Sequence, residues 1–533
     1  MVAITFIQHD PTHTQEPRQK QLDSARARAH AARVSHARRR SDSHQHSPPQ
    51  SQDLDLQTED SDDEHFLTVS AFEGNSDPFR CFAIEITPAL NRILTFTRDV
   101  ALRAHYSPLA IRRISRTIAG TFEQPYILGG WADIAASLRD EGTALARLTT
   151  YSQYLSSCVQ NPKELRMLVL QMRKRSLQLL REKLERHTDS SASEEKNALK
   201  RHIFSLFDAE CCCGNTQAAI IHGTTLQKLI NESNTFDAPM AQRLLYIICH
   251  SAATSGQRTV PSVGEWISAR SEAFLKEQIP PHPLGVPENH LSHASVTLPE
   301  LRTLFARCWY LGDASKQTTP TESPTAATAV QNKNAAYIYV TVSALVNLCR
   351  LNDMFHNLVE AVWMAGISRS ERYTQAALSV ALNYLTREMF GDLTIGGVNI
   401  RDCSVLLMGQ LRLTFTRAYQ SSSVNERLDF APAYLWILYV GALCEHRRRD
   451  NILMVDLLDE FWFSPLLALQ ANLMGVMTWP HMRAMAEQFF YTDIIEPDGA
   501  VWFETLLKRY AHASRQKRVS VASRYIWFFK SQG

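Results

Sequence analysis

Apolar residues recur every three or four positions along much of this chain, the spacing that places them on one face of a helix. The clearest run begins at Asn161-Pro162-Lys163-Glu164, where Asn161 suits a cap, Pro162 the first helical position and Glu164 a capping box. Leu165, Leu168, Val169, Met172, Leu177, Leu180 and Leu184 then form an apolar stripe, and Arg173, Lys174, Arg175, Arg181 and Glu182 a charged face. A second helix is predicted over 196–212. Gly214-Asn215 should stop it with a left-handed residue, and a further apolar-periodic run, Ala218 to Ile230, completes a helical hairpin. Later helices are expected near 240–252, 263–277, 298–310, 336–350, 353–366, 371–389, 402–419, 432–446, 452–474, 480–491 and 500–512. Strand candidates are confined to Val2–Ile7, Ile395–Ile400 and Val519–Phe529. The pattern is that of an all-α protein with one large multi-helix domain, 71–533.

Polar and proline-rich stretches break the pattern. HTDSSASEEKNA (187–198), the proline-rich segment within 279–297 and the Ser/Thr/Pro-rich stretch 312–334 are expected as flexible loops. Residues 1–70 hold no periodic apolar face and are expected to be a disordered arm. Its charges are segregated. Residues 18–40 carry eight Lys/Arg and one Asp, residues 53–64 carry seven acids and no base, and the two blocks cancel at +7 against −7. The net charge of +2 over 533 residues therefore conceals the arm's basic block.

Hydrophobic residues make up 45% of the chain, enough for a substantial core, and the ten cysteines are too sparse for a disulfide framework. Cys249, Cys349 and Cys444 sit singly in apolar runs, as reduced interior cysteines do. Met1 to Asp10 has neither the basic start nor the cleavage site of a signal peptide. The uncharged stretch Phe430 to Cys444 spans fifteen residues, short of the roughly 20 a membrane span needs, and is expected as a buried helix. The basic cluster His446–Arg449 behind it is the one feature that suits membrane contact instead.

The chain lacks the glycine-rich phosphate loops, the G-x-S-x-G elbow, the H-E-x-x-H helix and any C-x-x-C pair. Cys211-Cys212-Cys213 are consecutive, about 100° apart on a helix, and cannot all face one metal. His282, His290 and His293 are expected as solvated loop residues, and Asp62-Asp63-Glu64 and Asp456, Asp459 and Glu460 as solvated acids. No catalytic, cofactor or metal site is assigned, and the chain is not expected to be an enzyme. The candidate contact residues are arginines of the arm: Arg26, Arg28, Arg33, Arg38, Arg39 and Arg40. Arg26, Arg33 and Arg40 are spaced by seven, so a helix would align them as a stripe suited to phosphate contact. The same run serves equally as a nuclear-import signal or as a solvated tail. The C-terminal basic residues, Lys508 to Lys530, are interleaved with Tyr525, Ile526, Trp527 and Phe528, a pattern that anchors a terminus to a core.

Asp77-Pro78-Phe79, Thr87-Pro88 and the hairpin bearing Gly214, Asn215, His222, Leu226, Leu229 and Ile230 occur in an order that resembles the fungal-specific transcription factor domain. The opening stretch, in which Phe6-Ile7 precedes an Arg/His-rich run, looks like the N-terminus of a subgroup of that family. The resemblance covers about the first 230 residues and implies a large helical regulatory domain. Many members carry a zinc binuclear cluster of six spaced cysteines. This chain has no cysteine before Cys81, so sequence-specific DNA reading is not implied.

The expectation is a transcriptional regulator of the nucleus, or of nucleus and cytoplasm, without a cofactor. Its partners would be the transcription machinery or related regulators, a second copy, and DNA phosphates through the arm, with no membrane involved. The alternatives are a scaffold or partner of zinc-cluster regulators that does not bind DNA, and a helical enzyme with a scattered site.

Overall fold

The computed structural model describes residues 81–102, 123–156, 159, 163–186, 193–233, 238–260, 263–278, 293–316, 326–360, 366–390, 394–395, 398–399, 403–447, 461–493, 495–496 and 498–516. The charge blocks of 1–70, the strand candidates Val2–Ile7 and Val519–Phe529, and Asn161-Pro162 lie outside them. The protein is all-α. In chain order the helices are α1 (Pro88–Phe96), α2 (Glu123–Ser137), α3 (Glu141–Ser156), α4 (Lys163–Arg186), α5 (Ser193–Cys212) and α6 (Thr216–Ser233). There follow α7 (Ala238–Ser255), α8 (Val263–Gln278), α9 (Pro299–Lys316), α10 (Ala326–Glu360) and α11 (Arg369–Phe390). The C-terminal part holds α12 (Ser404–Ser421), α13 (Val424–Asp429), α14 (Ala431–Arg447), α15 (Phe463–Leu473), α16 (Trp479–Glu487) and α17 (Gly499–Gln516). Between α11 and α12, strands β1 (Thr394–Ile395) and β2 (Val398–Asn399) pair antiparallel with Ile395 opposite Val398, so the described part of the expected strand is divided between two short paired segments.

Local chemistry explains several boundaries. Thr87 caps α1 by accepting from the Leu90 N–H at 3.3 Å, and Pro88 takes the first helical position. Gly214, at φ 70°, ends α5: its N–H donates to Cys211 O and the Asn215 N–H to Glu210 O at 2.9 Å, the paired bonds of a Schellman cap. The α5–α6 hairpin thus turns where the sequence predicts.

Two expectations need correction. The stretches 336–350 and 353–366 belong to one helix, α10, which ends at Glu360. The polar residues at the expected break tie the helix sideways: Asn352 donates to Gln257 O at 2.9 Å, and Asp353 accepts from the Thr259 N–H and hydroxyl at 2.9 and 2.6 Å. Helix also covers part of the stretches expected as loops: α5 starts at Ser193, α9 runs to Lys316 and α10 starts at Ala326, whose alanine-rich first turn favours helix. Of the helix expected over 452–474, the described part is α15.

Three layers of core run through the body. The first joins α1, α2, α3 and one face of α4 through Ile93, Leu94, Phe96, Leu148, Leu155 and Met172. The second joins α5 to α8 with one face of α10, and the third joins the other face of α10 with α9, α11, α12 and α14 to α17. Helix α14 is buried on every side from Ala433 to Cys444, in agreement with its uniformly apolar sequence. No helix among the described residues is long and apolar enough to cross a membrane. Gly441 lets α14 and α15 touch, since a Cβ there would lie 2.3 Å from the Phe463 ring.

At the centre of the third layer Trp436 stacks on Phe489 at 5.3 Å, packs against Phe305 at 5.4 Å and donates its indole N–H to Phe490 O at 3.1 Å. Trp436→Ala should lower the unfolding free energy by about 3–5 kcal/mol. Urea denaturation at neutral pH measures this directly, and a loss under about 1 kcal/mol would contradict the packing described.

Candidate functional site

Three polar constellations carry chemistry-bearing side chains, and they differ in access to solvent. The first lies between α3, α4 and α5. Ser176 Oγ is 3.0 Å from His202 Nε2 and donates to Gly142 O at 2.8 Å. Lys183 Nζ is 3.4 Å from His202 Nδ1 and 2.7 Å from both Asp140 carboxylate oxygens. A serine beside a histidine suggests a nucleophile and its base. Ser176 and His202 are both completely buried, however, and their hydrogen bonds hold α4 and α5 against the start of α3. Burial and the neighbouring Lys183 charge bring the His202 imidazole down to about 4, so it is neutral at pH 7. Burial pushes the Asp140 carboxyl up, but hydrogen bonds from Lys183 and Thr143 outweigh this and leave it below its ordinary value.

The second constellation is in the interior between α7, α10 and α11. Arg387 is 1% exposed; it donates to Asn383 Oδ1 at 2.8 Å and to Cys249 O at 2.8 Å, with Cys249 Sγ at 3.2 Å. Burial pushes the Cys249 thiol up, while the hydrogen bond from Cys349 and the Arg387 guanidinium bring it below its ordinary value. The bond to Cys249, together with burial, pushes Cys349 well up. A guanidinium this deep is tolerated because it is hydrogen-bonded, and it ties α11 to α7.

The third constellation is open: a cleft of about 360 Å3 between the C-terminal end of α14, the start of α15 and helix α17. The residues Glu445-His446-Arg447 build it, each holding a different neighbour. Glu445 accepts from the Phe463 and Ser464 N–H groups at 2.7 and 2.9 Å and from the Ser464 hydroxyl at 2.6 Å, capping α15. Burial pushes the Glu445 carboxyl above its ordinary value, and these hydrogen bonds offset part of the rise. His446 stacks on Trp502 of α17 at 5.3 Å, with Nε2 3.9 Å from the Glu496 carboxylate. Arg447 donates to Ile495 O and pairs with Glu388 of α11 at 3.1 Å, which fixes the turn before α17. The basic cluster that suited membrane contact thus contributes two internal ties through its first residues.

The cleft walls combine an aromatic side, Trp502 and Phe461, with the carboxylates of Glu496 and Asp498. Arg509 lies over the Phe461 ring at 5.6 Å. Phe461 adopts φ 41°, a left-handed conformation that is costly for a side chain bearing a Cβ. The volume falls within the roughly 300–1,000 Å3 of small-molecule sites. With His446 on Trp502 and Arg509 over Phe461, it is the carboxylates of Glu496 and Asp498 that would attract an organic cation, and the remaining ring edges that would pack its apolar part.

The sequence-derived contact residues, Arg26, Arg28, Arg33, Arg38, Arg39 and Arg40, lie outside the described residues, as do Asp62-Asp63-Glu64, His282, His290, Asp456, Asp459 and Glu460. His293 is not a solvated loop residue. Its ring stacks on Phe489 at 5.2 Å and its Nδ1 accepts from the Ser295 N–H at 3.1 Å. His222 is buried, and desolvation lowers its imidazole below its ordinary value. Of the three consecutive cysteines, Cys211 is buried and Cys212 and Cys213 are half-buried. No group of three or more His, Cys, Asp or Glu placed to hold a metal ion occurs among the described residues. The cleft itself was not legible in the sequence, because Glu496, Trp502 and Arg509 look like ordinary helix and turn residues until α14 brings His446 beside them.

The His202 network predicts a pH dependence of stability. The unfolded histidine takes a proton near pH 6.5, whereas the folded one resists until about pH 4, so its contribution is complete above 6.5 and is lost as the pH falls toward 4. The loss amounts to about 3 kcal/mol at one pKa unit per 1.36 kcal/mol. Urea unfolding at pH 7 and pH 4.5 should show a smaller acid-induced drop for His202→Gln than for the natural chain. Equal drops would mean that His202 is not the buried neutral group described.

No protein-family model matches the chain, and neither a curated protein nor a solved structure does.

Proposed function

We propose that this chain is a regulatory protein of the nucleus whose helical body binds its ligands without converting them. Its basic arm would serve nuclear import or contact with DNA phosphates. The observation that carries this reading is the distribution of polar chemistry. The Ser176–His202 and Cys249–Arg387 groups are closed in the interior as ties between helices, while the open cleft presents an aromatic wall and carboxylates suited to holding a small effector. The charge-segregated arm supports the same reading, since a basic block of eight Lys/Arg within residues 18–40 matches both an acidic carrier groove and a phosphate backbone. The motif order resembling the fungal-specific transcription factor domain points the same way.

The arm is tested in the full chain by replacing Arg26, Arg28, Arg33, Arg38, Arg39 and Arg40 with Ala. Binding to a random-sequence duplex across a salt series should lose up to about five units of slope in log K against log salt, at about 0.9 per phosphate contact. Nuclear accumulation should fall when Arg38, Arg39 and Arg40 alone become Ala. Unchanged slope together with unchanged localisation would remove the arm from the function.

The cleft is tested separately. Benzylammonium should raise the thermal midpoint of the natural chain and benzoate should not. Trp502→Ala and Glu496→Gln should each abolish the shift. A shift that survives both substitutions would place the ligand elsewhere.

A further inference from the structure

Helix α4 carries a second row of apolar residues on its outer side, of which Leu177 leans on the second core layer while Met167, Leu170 and Leu184 are exposed among the described residues. Its inward face, Val169, Met172, Ser176 and Leu180, is buried against α3 and α5. On the outward side Met167, Leu170, Lys174, Leu177, Arg181 and Leu184 follow one another at intervals of three and four, the a and d positions of a heptad. The expectation of a single apolar stripe with a charged back is thus corrected: Met167, Leu170 and Leu184 are 58%, 56% and 47% exposed, and Leu177 is half-buried. The helix has 24 residues and spans about 36 Å, so the seam continues for more than two heptads. Between its ridges runs a shallow groove lined by Leu170, Arg173, Lys174, Leu177, Gln178 and Arg181.

The charge on this helix selects the occupant. Residues 163–186 hold eight Lys/Arg and three Glu. Several of these bases are committed to the body: Arg173 pairs with Glu210 at 2.6 Å, Arg175 with Glu141 at 3.0 Å and Lys183 with Asp140 at 2.7 Å. Lys174 and Arg181, the two seam positions that are not apolar, form no ion pair among the described residues. Their stems can lie along the apolar ridge while their charges meet a partner. A second copy of α4 would bring like charges together. Side by side in parallel it would set Lys174 against Lys174 and Arg181 against Arg181, and antiparallel it would still join two strongly basic helices.

We propose that the outward face of α4 is a docking surface for an acidic amphipathic helix of a partner protein, with Leu-type residues at its own a and d positions and Glu or Asp opposite Lys174 and Arg181. The apolar ridge supplies the burial, and the two seam charges set register and exclude basic partners. This goes beyond the regulatory reading above and depends on neither the arm nor the cleft.

The test uses the full chain and two synthetic helical peptides of about four heptads with leucine at a and d, one with Glu and the other with Lys at the positions facing the seam charges. Fluorescence anisotropy should show saturable one-to-one binding of the Glu peptide, at least about tenfold tighter than the Lys peptide. Met167→Glu with Leu170→Glu, both exposed, should weaken it by about tenfold or more at an unchanged thermal midpoint. Lys174→Glu with Arg181→Glu should invert the preference between the peptides, an outcome that loss of folding cannot produce. Binding of neither peptide, equal binding of both, or an unaltered preference in the charge-reversed chain would overturn the proposal. So would a dimer in sedimentation equilibrium that Leu170→Glu disperses, since the face would then belong to a second copy.

Discussion

The structure depends on one helix being buried on two sides. Helix α10 presents Val342, Leu345, Val346 and Cys349 to α7, α8 and their neighbours, and Val340, Ala344, Leu351 and Phe355 to α9, α11 and the C-terminal helices. Each set recurs at helical spacing, and together they leave α10 little solvent-facing surface over this stretch. A helix with one apolar stripe can close one layer. A helix with two lets a chain of this length stack successive layers, where a single core would stop growing at roughly 250–300 residues. At 35 residues, about 52 Å, α10 is long enough to serve both.

Burial on this scale brings polar groups into the interior, and the structure uses them as ties. Helix α11 is buried at nearly every position from Tyr373 to Arg387, including Thr374, Gln375, Ser379, Asn383, Thr386 and Arg387. Thr374, Ser379 and Thr386 return their hydroxyls to carbonyls of their own helix at 2.7–2.9 Å. Gln375 and Arg387 reach out, Gln375 to the segment before α9 and Arg387 to α7. Unsatisfied, each would cost several kcal/mol; satisfied, they fix the register between helices that apolar contact alone would leave free to slide. The Asp140–Lys183–His202–Ser176 chain does the same between α3, α4 and α5.

The outward-facing features arise where these ties end. At the last turn of α14, three consecutive residues hold α15, α17 and the turn before α17, and the space left between them is the cleft. On the opposite part of the chain's sequence, α4 spends some of its bases on the body and keeps a heptad seam outside. One is a concave site of small-molecule size, the other a long shallow ridge suited to a helix. Both are made of residues that secondary structure alone does not require.

Periodicity was a sound guide to the helices because a helix that packs must repeat its apolar positions near 3.6, whatever it packs against. The same logic made α14 legible as an interior helix from its uniform apolarity, and made Gly214 legible as a stop, since few residues other than glycine accept that backbone conformation. Where polar residues interrupted the pattern, sequence misled. Asn352 and Asp353 lay at an expected break between two helices and are one helix's lateral bonds to the chain after α7, and the leucines of α4 looked like one stripe and divide between core and surface. The cleft, the neutral His202 and the buried Arg387 belong to the tertiary structure alone. Spacing along the chain specifies which residues share a helix face, but what a face meets, and hence which charges are desolvated, paired or left outward, is decided by residues more than a hundred positions away, as Arg387 and Cys249 show across 138.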